Sequence, residues 1–430
     1  MKRTGSCSLL LAGLACAGMS GDLRSQGPGT LPSGHGAAGT PDEARQAGLI
    51  EYRGRWLPKK LQPKLTAWEK ADAKTLGWAQ AYDVKSKHYR IKTDVPRFIV
   101  ELEIKPFLDE LYETYVRTFA RDFGLQSRAA NQKSIQIYSG YRTYKQQTGK
   151  TRGTPGFIVG SNVLHAFYED FDPATFYKTT FHEGAHQFFA AVLPGAELPH
   201  WLNEALASYF EGGVYSRRTG KITLGAPPPD RVQFAKMQLA RRADADPETM
   251  FMRVGRAEYT ALHYALGWSF LYYLTATEDG RYRPLLGSLL RELNGSGTKP
   301  FATVFESTMR VSLPDVGKGW RAFVMHLPTP RAPTWVLARV TSLPEGVDLR
   351  DDDRFMSVAG VPIDASDTFT RAWQAARQLG DPFDVCVLRQ TGPSDGMDFD
   401  LVPIRVRIEN ADAGKVSARG EMTRAHSLTD

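Results

Sequence analysis

The sequence contains the segment Phe181-His182-Glu183-Gly184-Ala185-His186-Gln187, in which two histidines lie four residues apart and a glutamate directly follows the first. Residues four apart lie on one face of an α-helix, about 6 Å apart along its axis. His182 and His186 can therefore bind one zinc ion at roughly 2.0–2.1 Å. Glu183 would then be placed to take a proton from a water molecule that the metal activates. The segment predicts a metal-dependent hydrolase.

Proline, glycine and aspartate mark the ends of the predicted helix. Asp172-Pro173 supplies an N-cap and a proline at the first helical position, and Pro194-Gly195 follows the last apolar residue. The apolar side chains that would pack this helix against a core are Phe176, Phe181, Phe188 and Val192. The two histidines therefore lie within one helix bounded by these signals.

A catalytic zinc site needs a third protein ligand and one open position. A second predicted helix begins near Pro199 and carries Glu204, which could complete a His, His, Glu set. Glu211 and Glu197 are alternative third ligands. Glu211 lies about two turns beyond Glu204 on nearly the same face, so it could instead hydrogen-bond one of the ligands.

Two segments resemble elements of a known enzyme group. Trp201-Leu202-Asn203-Glu204-Ala205-Leu206-Ala207 resembles the second-ligand motif of the zinc aminopeptidases among the gluzincins, in which Trp-Leu-Asn-Glu-Gly-Phe-Ala is typical. The resemblance makes Glu204 the third ligand. The segment around Tyr264 is similar to the tyrosine element of that group, whose hydroxyl stabilises the oxyanion, and Tyr259 precedes it by five residues.

The chain departs from the aminopeptidases in one element. Their Gly-x-Met-Glu-Asn segment, whose glutamate binds the free amino group of the substrate, has no counterpart between Gly156 and Phe167. The chain is therefore more similar to the peptidase-MA-like gluzincins of exported bacterial proteins, which often start with a Tyr-x-Gly-x-Trp element such as residues 52–56. A strand predicted from Phe157 to Leu164 would be the edge along which an extended substrate peptide lies.

The order of predicted elements gives the fold class and the domain boundaries. Strand patterns dominate up to the histidine segment and helical patterns follow it, the layout of many zinc peptidases. We expect an α+β protein with a thermolysin-like or gluzincin-like catalytic domain, a mixed sheet and then a helical half, over 47–327 (core about 88–310). A Pro-rich linker at 328–333 leads to a small α/β domain at 334–410, and 411–430 is expected to be disordered.

The small C-terminal domain resembles a PDZ domain. The segment from Leu349 to Ile363 follows the pattern Asp-x-Ile-x-x-Val-x-Gly-x-x-Val/Ile of bacterial PDZ modules, and a helix (Thr368 to Leu379) and a strand (Phe383 to Arg389) follow in the expected order. PDZ grooves bind chain ends or extended peptides by strand addition. The resemblance therefore implies an extended peptide or a protein C-terminus as a partner.

The N-terminus predicts export. Residues 1–20 read as a signal peptide, with a basic pair, an apolar region from Ser8 to Gly18 and a small-residue cleavage site at Ala15-Cys16-Ala17; residues 21–46 form a Gly-, Ser- and Pro-rich linker. Cys16 also allows a lipoprotein anchor. No other run approaches 20 apolar residues, so membrane attachment is expected only through that anchor.

Composition sets the remaining limits. The 430 residues suffice for two or three domains with real cores. A formal charge of +7, with no basic run interleaved with aromatics, argues against nucleic acid as a partner. Cys7 and Cys16 lie in the predicted signal, so Cys386 has no expected intramolecular disulfide partner.

These expectations combine into an exported zinc metallopeptidase that hydrolyses peptide bonds. Zn²⁺ would be held by His182, His186 and Glu204. Glu183 would be the general base, and Tyr264 would stabilise the oxyanion. Two alternatives stay open: a non-catalytic, zinc-stabilised peptide-binding protein, and a zinc amidase acting on a cell-envelope amide. A general base and the absence of nearby cysteines favour a catalytic over a structural site.

Overall fold

A computed structural model describes two parts of the chain. The first is 45–328 without residues 54, 75–76, 126–132, 152–153, 160–161, 171–172, 194–197, 218, 226, 243–245, 278–279 and 296–298. The second consists of 334–342, 349–350, 353–358, 361–363, 369–374, 383–390, 399–406 and 415–423. The predicted signal, Cys16, nearly all of the N-terminal linker, most of the Pro-rich linker and Glu197 lie outside the described residues.

Strands and helices alternate in the first part of the chain, and helices dominate after residue 172. The strands there are β1 (Leu49–Tyr52), β2 (Arg55–Pro58), β3 (Tyr82–Lys85), β4 (Tyr89–Thr93), β5 (Lys133–Tyr138), β6 (Gly156–Val159), β7 (Val163–Phe167), β8 (Val214–Ser216) and β9 (Lys221–Thr223). The helices are α1 (Gln62–Asp72), α2 (Lys105–Phe123), α3 (Tyr141–Thr148), α4 (Pro173–Val192), α5 (His200–Phe210), α6 (Pro229–Ala240), α7 (Ala261–Ala276), α8 (Arg283–Gly295), α9 (Phe301–Met309) and α10 (Leu313–His326). The expected division into a sheet-bearing half and a helical half is present.

A five-stranded mixed sheet has the order β3-β4-β5-β7-β6. The three central strands are parallel, and β3 and β6 are antiparallel to their neighbours at the two edges. The single strand expected from Phe157 to Leu164 was wrong, because the chain reverses between β6 and β7. Asn162 has a left-handed φ of 69° there, a conformation that asparagine tolerates better than most residues.

One face of the sheet packs against the helices of the main core. The side chains of β4 alternate between buried and exposed, as expected for a strand with one covered face. Phe107 of α2 contacts the rings of Phe176, Tyr177 and Phe181 on α4. This aromatic contact fixes the helix that carries the two histidines against the helix that follows β4.

The other face of the sheet carries a smaller aromatic cluster. Its buried members are Tyr138, Tyr141, Tyr144, Phe157 and Phe167, with α3 lying across them. His165 of β7 contacts this cluster. Its Nδ1 lies 2.9 Å from the hydroxyl of Tyr138, and its ring stacks on Phe157 at 4.8 Å. The edge strand β6 therefore packs against aromatic side chains on this face of the sheet.

Helix α7 is the centre of the helical half. Eleven of its sixteen residues are buried and none is exposed, and it packs against α5, α6 and α10. The indole of Trp320 on α10 donates a hydrogen bond to the hydroxyl of Ser269 at 3.0 Å. Burial on all sides explains why no amphipathic pattern marks this helix in the sequence.

The C-terminal part forms a separate sheet. Its strands are β10 (Thr334–Ser342), β11 (Arg354–Val358), β12 (Val361–Pro362), β13 (Phe383–Gln390), β14 (Phe399–Val406) and β15 (Lys415–Thr423). They are ordered β14-β13-β11-β10-β15, with β12 on β11. Strands and a helix at 369–374 occur where the sequence predicted them. The resemblance to a PDZ domain stays a prediction.

The expectation that 411–430 is disordered was wrong for part of that segment. Residues 415–423 are β15, which pairs antiparallel with β10. The segment has few large apolar residues, so the pattern carried little strand signal. Its backbone instead gains hydrogen bonds from a strand about 80 residues earlier in the chain.

Among the described helices, none is both long and apolar enough to cross a bilayer.

We predict that His165 makes the protein less stable in mild acid. Burial lowers the pKa of His165 to about 4 from its ordinary value of 6.5. In the unfolded chain the imidazole takes up a proton below about 6.5, whereas in the folded protein it does so only near 4. Its contribution to stability is therefore full above pH 6.5 and is lost as the pH falls towards 4. The loss of Tm between pH 7 and pH 5 should be smaller in His165→Gln than in wild type, and equal losses would contradict this.

Candidate metal centre

Two neighbouring helices bring three ligand side chains together. His182 and His186 lie on α4, and Glu204 lies one turn inside α5. One ligand atom from each residue lies within 4.8 Å of the other two, so the group could hold a metal ion. The two Nε2 atoms are 3.2 Å apart, and Oε2 of Glu204 is 3.3 and 3.4 Å from them.

The surroundings of Glu204 suit a cation. Glu204 is fully buried, and neither carboxylate oxygen accepts a hydrogen bond from the described residues. A buried carboxylate without donors is costly, and one cation would satisfy it together with both imidazole nitrogens. Two nitrogens and one carboxylate oxygen are a ligand set that zinc prefers.

The charges in the group also favour a positive centre. Burial alone would lower the pKa of His182, but contacts with Glu204 and Glu211 raise it to about 10. Burial likewise opposes ionisation of Glu204, and the imidazoles of His186 and His182 outweigh it and hold its pKa well below the usual range. These carboxylates therefore attract positive charge to the point where the three ligand atoms meet.

The outer nitrogens of both histidines are held by hydrogen bonds. Nδ1 of His182 lies 2.7 Å from Oε1 of Glu211, and Nδ1 of His186 lies 3.2 Å from Oδ1 of Asn203. Such contacts fix the ring orientation and leave Nε2 as the ligand atom. Glu211 therefore contacts the outer nitrogen of His182 and is not one of the three residues of the ligand group. This position matches the alternative in which Glu211 hydrogen-bonds a ligand.

Glu183 lies beside the ligand group and next to the edge strand. It is 1 % exposed, and its Oε1 accepts no hydrogen bond from the described part of the chain. Burial raises the pKa of Glu183 above its usual value, against the effect of the two imidazoles. A Cβ at Gly156 would lie 3.4 Å from Cγ of Glu183 and would overlap the methyl group of Thr179. Strand β6 therefore passes directly along Glu183.

Two tyrosines from the α7 region lie near the ligand group. The ring of Tyr264 is 6.4 Å from that of His182, and burial raises the pKa of its hydroxyl far above the usual range, so it is a proton donor at neutral pH. The hydroxyl of Tyr259 donates to the backbone oxygen of His263 at 3.0 Å. The ring of Tyr264 is thus in contact with a ligand histidine, whereas the donor of Tyr259 is engaged elsewhere.

Two residues near the ligands were not predicted. Nδ1 of His200 lies 3.7 Å from Oε1 of Glu204, and its position four residues earlier on the same helix was a signal that could have found it. Arg231 of α6 contacts Glu211 through its guanidinium at 2.9 Å. No local pattern in the sequence connects Arg231 to Glu211, twenty residues earlier.

The chain has similarities to a protein family and to a solved structure. A family model described as "Protein of unknown function (DUF1570)" matches residues 177–292, which include the three ligands, Glu183 and Tyr264. No curated protein matches the chain. Among solved structures, the chain is similar to an aminopeptidase N family protein from Idiomarina loihiensis, with 12% sequence identity and a TM-score of 0.30, over 81% of this chain and 70% of that one.

We predict that Gly184, between the two histidines, cannot be enlarged without cost. A Cβ there would lie 2.8 Å from the hydroxyl of Tyr115, which donates to the backbone oxygen of Phe181 at 2.8 Å. Gly184→Ala should lower the free energy of unfolding by about 1–2 kcal/mol in urea titrations, because the overlap outweighs the gain in helix propensity.

The matched control removes the overlapping atom. In Tyr115→Phe the hydroxyl is gone, and the next neighbour of the added Cβ is a ring carbon at 3.5 Å, an ordinary contact. Adding Gly184→Ala to that background should therefore cost less than adding it to wild type. Equal costs in both backgrounds would show that the Tyr115 hydroxyl is not the reason for glycine at this position.

Proposed function

We propose that the protein is a zinc-dependent peptidase of the gluzincin type that cleaves peptide bonds in extended segments of protein or peptide substrates. The observation that carries this proposal is the convergence of His182, His186 and Glu204 beside Glu183, a buried carboxylate that is not a member of that group. When bound, a zinc ion would polarise a carbonyl group and acidify a water molecule. The chain's own residues would do the remaining work.

Glu183 is the residue that moves protons in this proposal. It takes a proton from the attacking water and passes it to the leaving amine, as general base and then general acid. A raised pKa suits both roles, since the carboxyl group can hold the proton between the two transfers. Its closeness to β6 supports this role, because a peptide that added to β6 would then lie near the proton carrier.

Tyr264 is the proposed donor to the oxyanion. A phenol that stays protonated at neutral pH can donate a hydrogen bond to the oxygen that becomes negative in the transition state. The ring lies near His182 on a helix buried on nearly all sides, so it is held in place before the reaction. Preorganised donors contribute more than mobile ones, because no reorganisation is needed during the reaction.

The edge strand supports a peptide as the substrate class. Strand β6 has a neighbour on one side within the described residues, and Val159 at its end is 39% exposed. An extended peptide can add to such an edge through main-chain hydrogen bonds. Export through residues 1–20, with a lipid anchor at Cys16 as the alternative to full removal of that segment, and peptide binding by the C-terminal domain belong to the same proposal.

The direct test combines removal of zinc with replacement of the base. Chelator-treated protein should lose hydrolysis of a peptide library, and added Zn²⁺ should restore it. Glu183→Gln should keep zinc, because Glu183 is not among the ligand atoms, while kcat falls by about 10²–10⁴-fold.

The outcomes separate the three readings of the sequence. Zinc binding without hydrolysis of peptides or amides in wild type would indicate the non-catalytic binding protein. Hydrolysis of cell-envelope amides alone would indicate the amidase. If peptide hydrolysis survives both the chelator and Glu183→Gln, the metal group and Glu183 are not the site of hydrolysis.

Strand addition predicts a particular sensitivity of the substrate. In an extended peptide, only alternate main-chain N–H groups point towards a pairing strand. N-methylation of those groups should raise KM, whereas N-methylation of the intervening ones should leave it nearly unchanged. A series of singly methylated versions of one cleaved peptide checks this. An effect without alternation would argue against addition to β6.

A further inference from the structure

Arg231 is an unusual residue in its surroundings. It is 1 % exposed, although arginine is almost never fully buried unless it is paired. Its Nη2 lies 2.9 Å from both carboxylate oxygens of Glu211, and its Nε lies 3.3 Å from one of them. The guanidinium carbon also lies 5.4 Å from the centroid of the Tyr264 ring.

Stability alone does not account for this buried pair. Removing two charges from water costs about as much as their attraction returns, and apolar replacements of buried pairs are often neutral or stabilising. The described residues include another pair with a buried carboxylate, Glu103 with Arg217 at 2.6 Å, in which the Arg217 side chain is 34% exposed and the carboxylate also contacts the hydroxyls of Tyr168 and Tyr177. The Glu211 pair differs in a further respect, because its carboxylate also contacts the ring of His182.

The contacts form a chain that ends at the metal centre. Arg231 contacts Glu211, and Glu211 contacts Nδ1 of His182 at 2.7 Å. A carboxylate oxygen that accepts from Nδ1–H fixes the tautomer in which Nε2 has a free lone pair. Both carboxylate oxygens of Glu211 lie 2.9 Å from Nη2 of Arg231. The carboxylate therefore cannot turn away from the ring of His182 without breaking these contacts.

We infer that Arg231 is a positioning residue of the metal centre, which holds Glu211 so that His182 presents Nε2 to the ion and which also supports the ring of Tyr264. The inference rests on the proposed function, since it assumes that the three ligands bind zinc. Helix α6 packs along α7, so one side chain connects the ligand set on α4 with the oxyanion donor on α7. In this inference Arg231 acts through these two residues.

The test measures zinc affinity of the full chain by competition with a chromogenic chelator. Arg231→Met should weaken zinc binding by about 10- to 100-fold, as loss of outer contacts does at other sites. Glu211→Gln should weaken it similarly. The double variant should bind about as weakly as either single variant, because Arg231 acts on the metal through Glu211. Arg217→Met, in the pair that Arg217 makes with the buried Glu103, is the control and should bind zinc as wild type does.

Several results would overturn the inference. The inference is wrong if Arg231→Met binds zinc as tightly as wild type, or if the losses of zinc affinity in the two single variants add in the double variant. It is also wrong if Arg217→Met loses as much zinc affinity as Arg231→Met. If Arg231→Met does not fold, Arg231→Lys and Glu211→Gln carry the test, with a smaller loss expected for Lys because it keeps the charge without the planar fork. Wild-type protein that binds no zinc would refute the proposed function first, which is a distinguishable failure.

The contact with Tyr264 has its own readout. At saturating zinc, Arg231→Met should have a lower kcat than Glu211→Gln with a similar KM, because only the first change removes the support of the Tyr264 ring. Equal kcat values for the two variants at saturating zinc would remove this second role and leave the first.

Discussion

The carboxylate of Glu204 lies fully buried beside two imidazoles, without a hydrogen-bond donor from the described residues. Such a burial costs free energy that other contacts of the fold must offset. A cation bound at this group would offset that cost, and its binding would then also stabilise the fold. The three ligands come from two helices, and therefore the packing of α4 against α5 sets the geometry of the centre.

The position of α4 is over-determined by its neighbours. Aromatic rings from α2 cover one side of it, and the hydroxyl of Tyr115 bonds its backbone beside Gly184. On another side the chain of α4 approaches β6 at Gly156, where any larger residue would overlap Thr179. A helix held in this way can keep the Nε2 atoms of His182 and His186 at 3.2 Å from each other. The same point also attracts positive charge. Rigidity of this kind is what a preorganised site requires.

Local signals predicted the elements that carry the ligands. The histidine spacing, Pro173 at the first helical turn and the helix beginning near Pro199 all match α4 and α5 in the structure. Contacts between distant segments were not predictable in the same way. The partnership of Glu211 with Arg231, the pairing of β15 with β10 and the reversal at Asn162 depend on which surfaces meet or on a single residue's conformation. No spacing rule in one sequence encodes these, because each depends on tertiary context.

The short distance between β6 and Glu183 bears on which class of substrate the site would bind. A small amide needs only the ligand group, the base and a donor to the oxyanion, and a sheet edge beside the base would add nothing to its binding. An extended peptide gains main-chain hydrogen bonds along such an edge, and those bonds set the position of each peptide carbonyl. Since Gly156 brings the backbone of β6 against the side chain of Glu183, a strand added to β6 would have its position set relative to the base. The closeness of β6 to Glu183 thus supports the proposal of a peptide over that of a smaller amide.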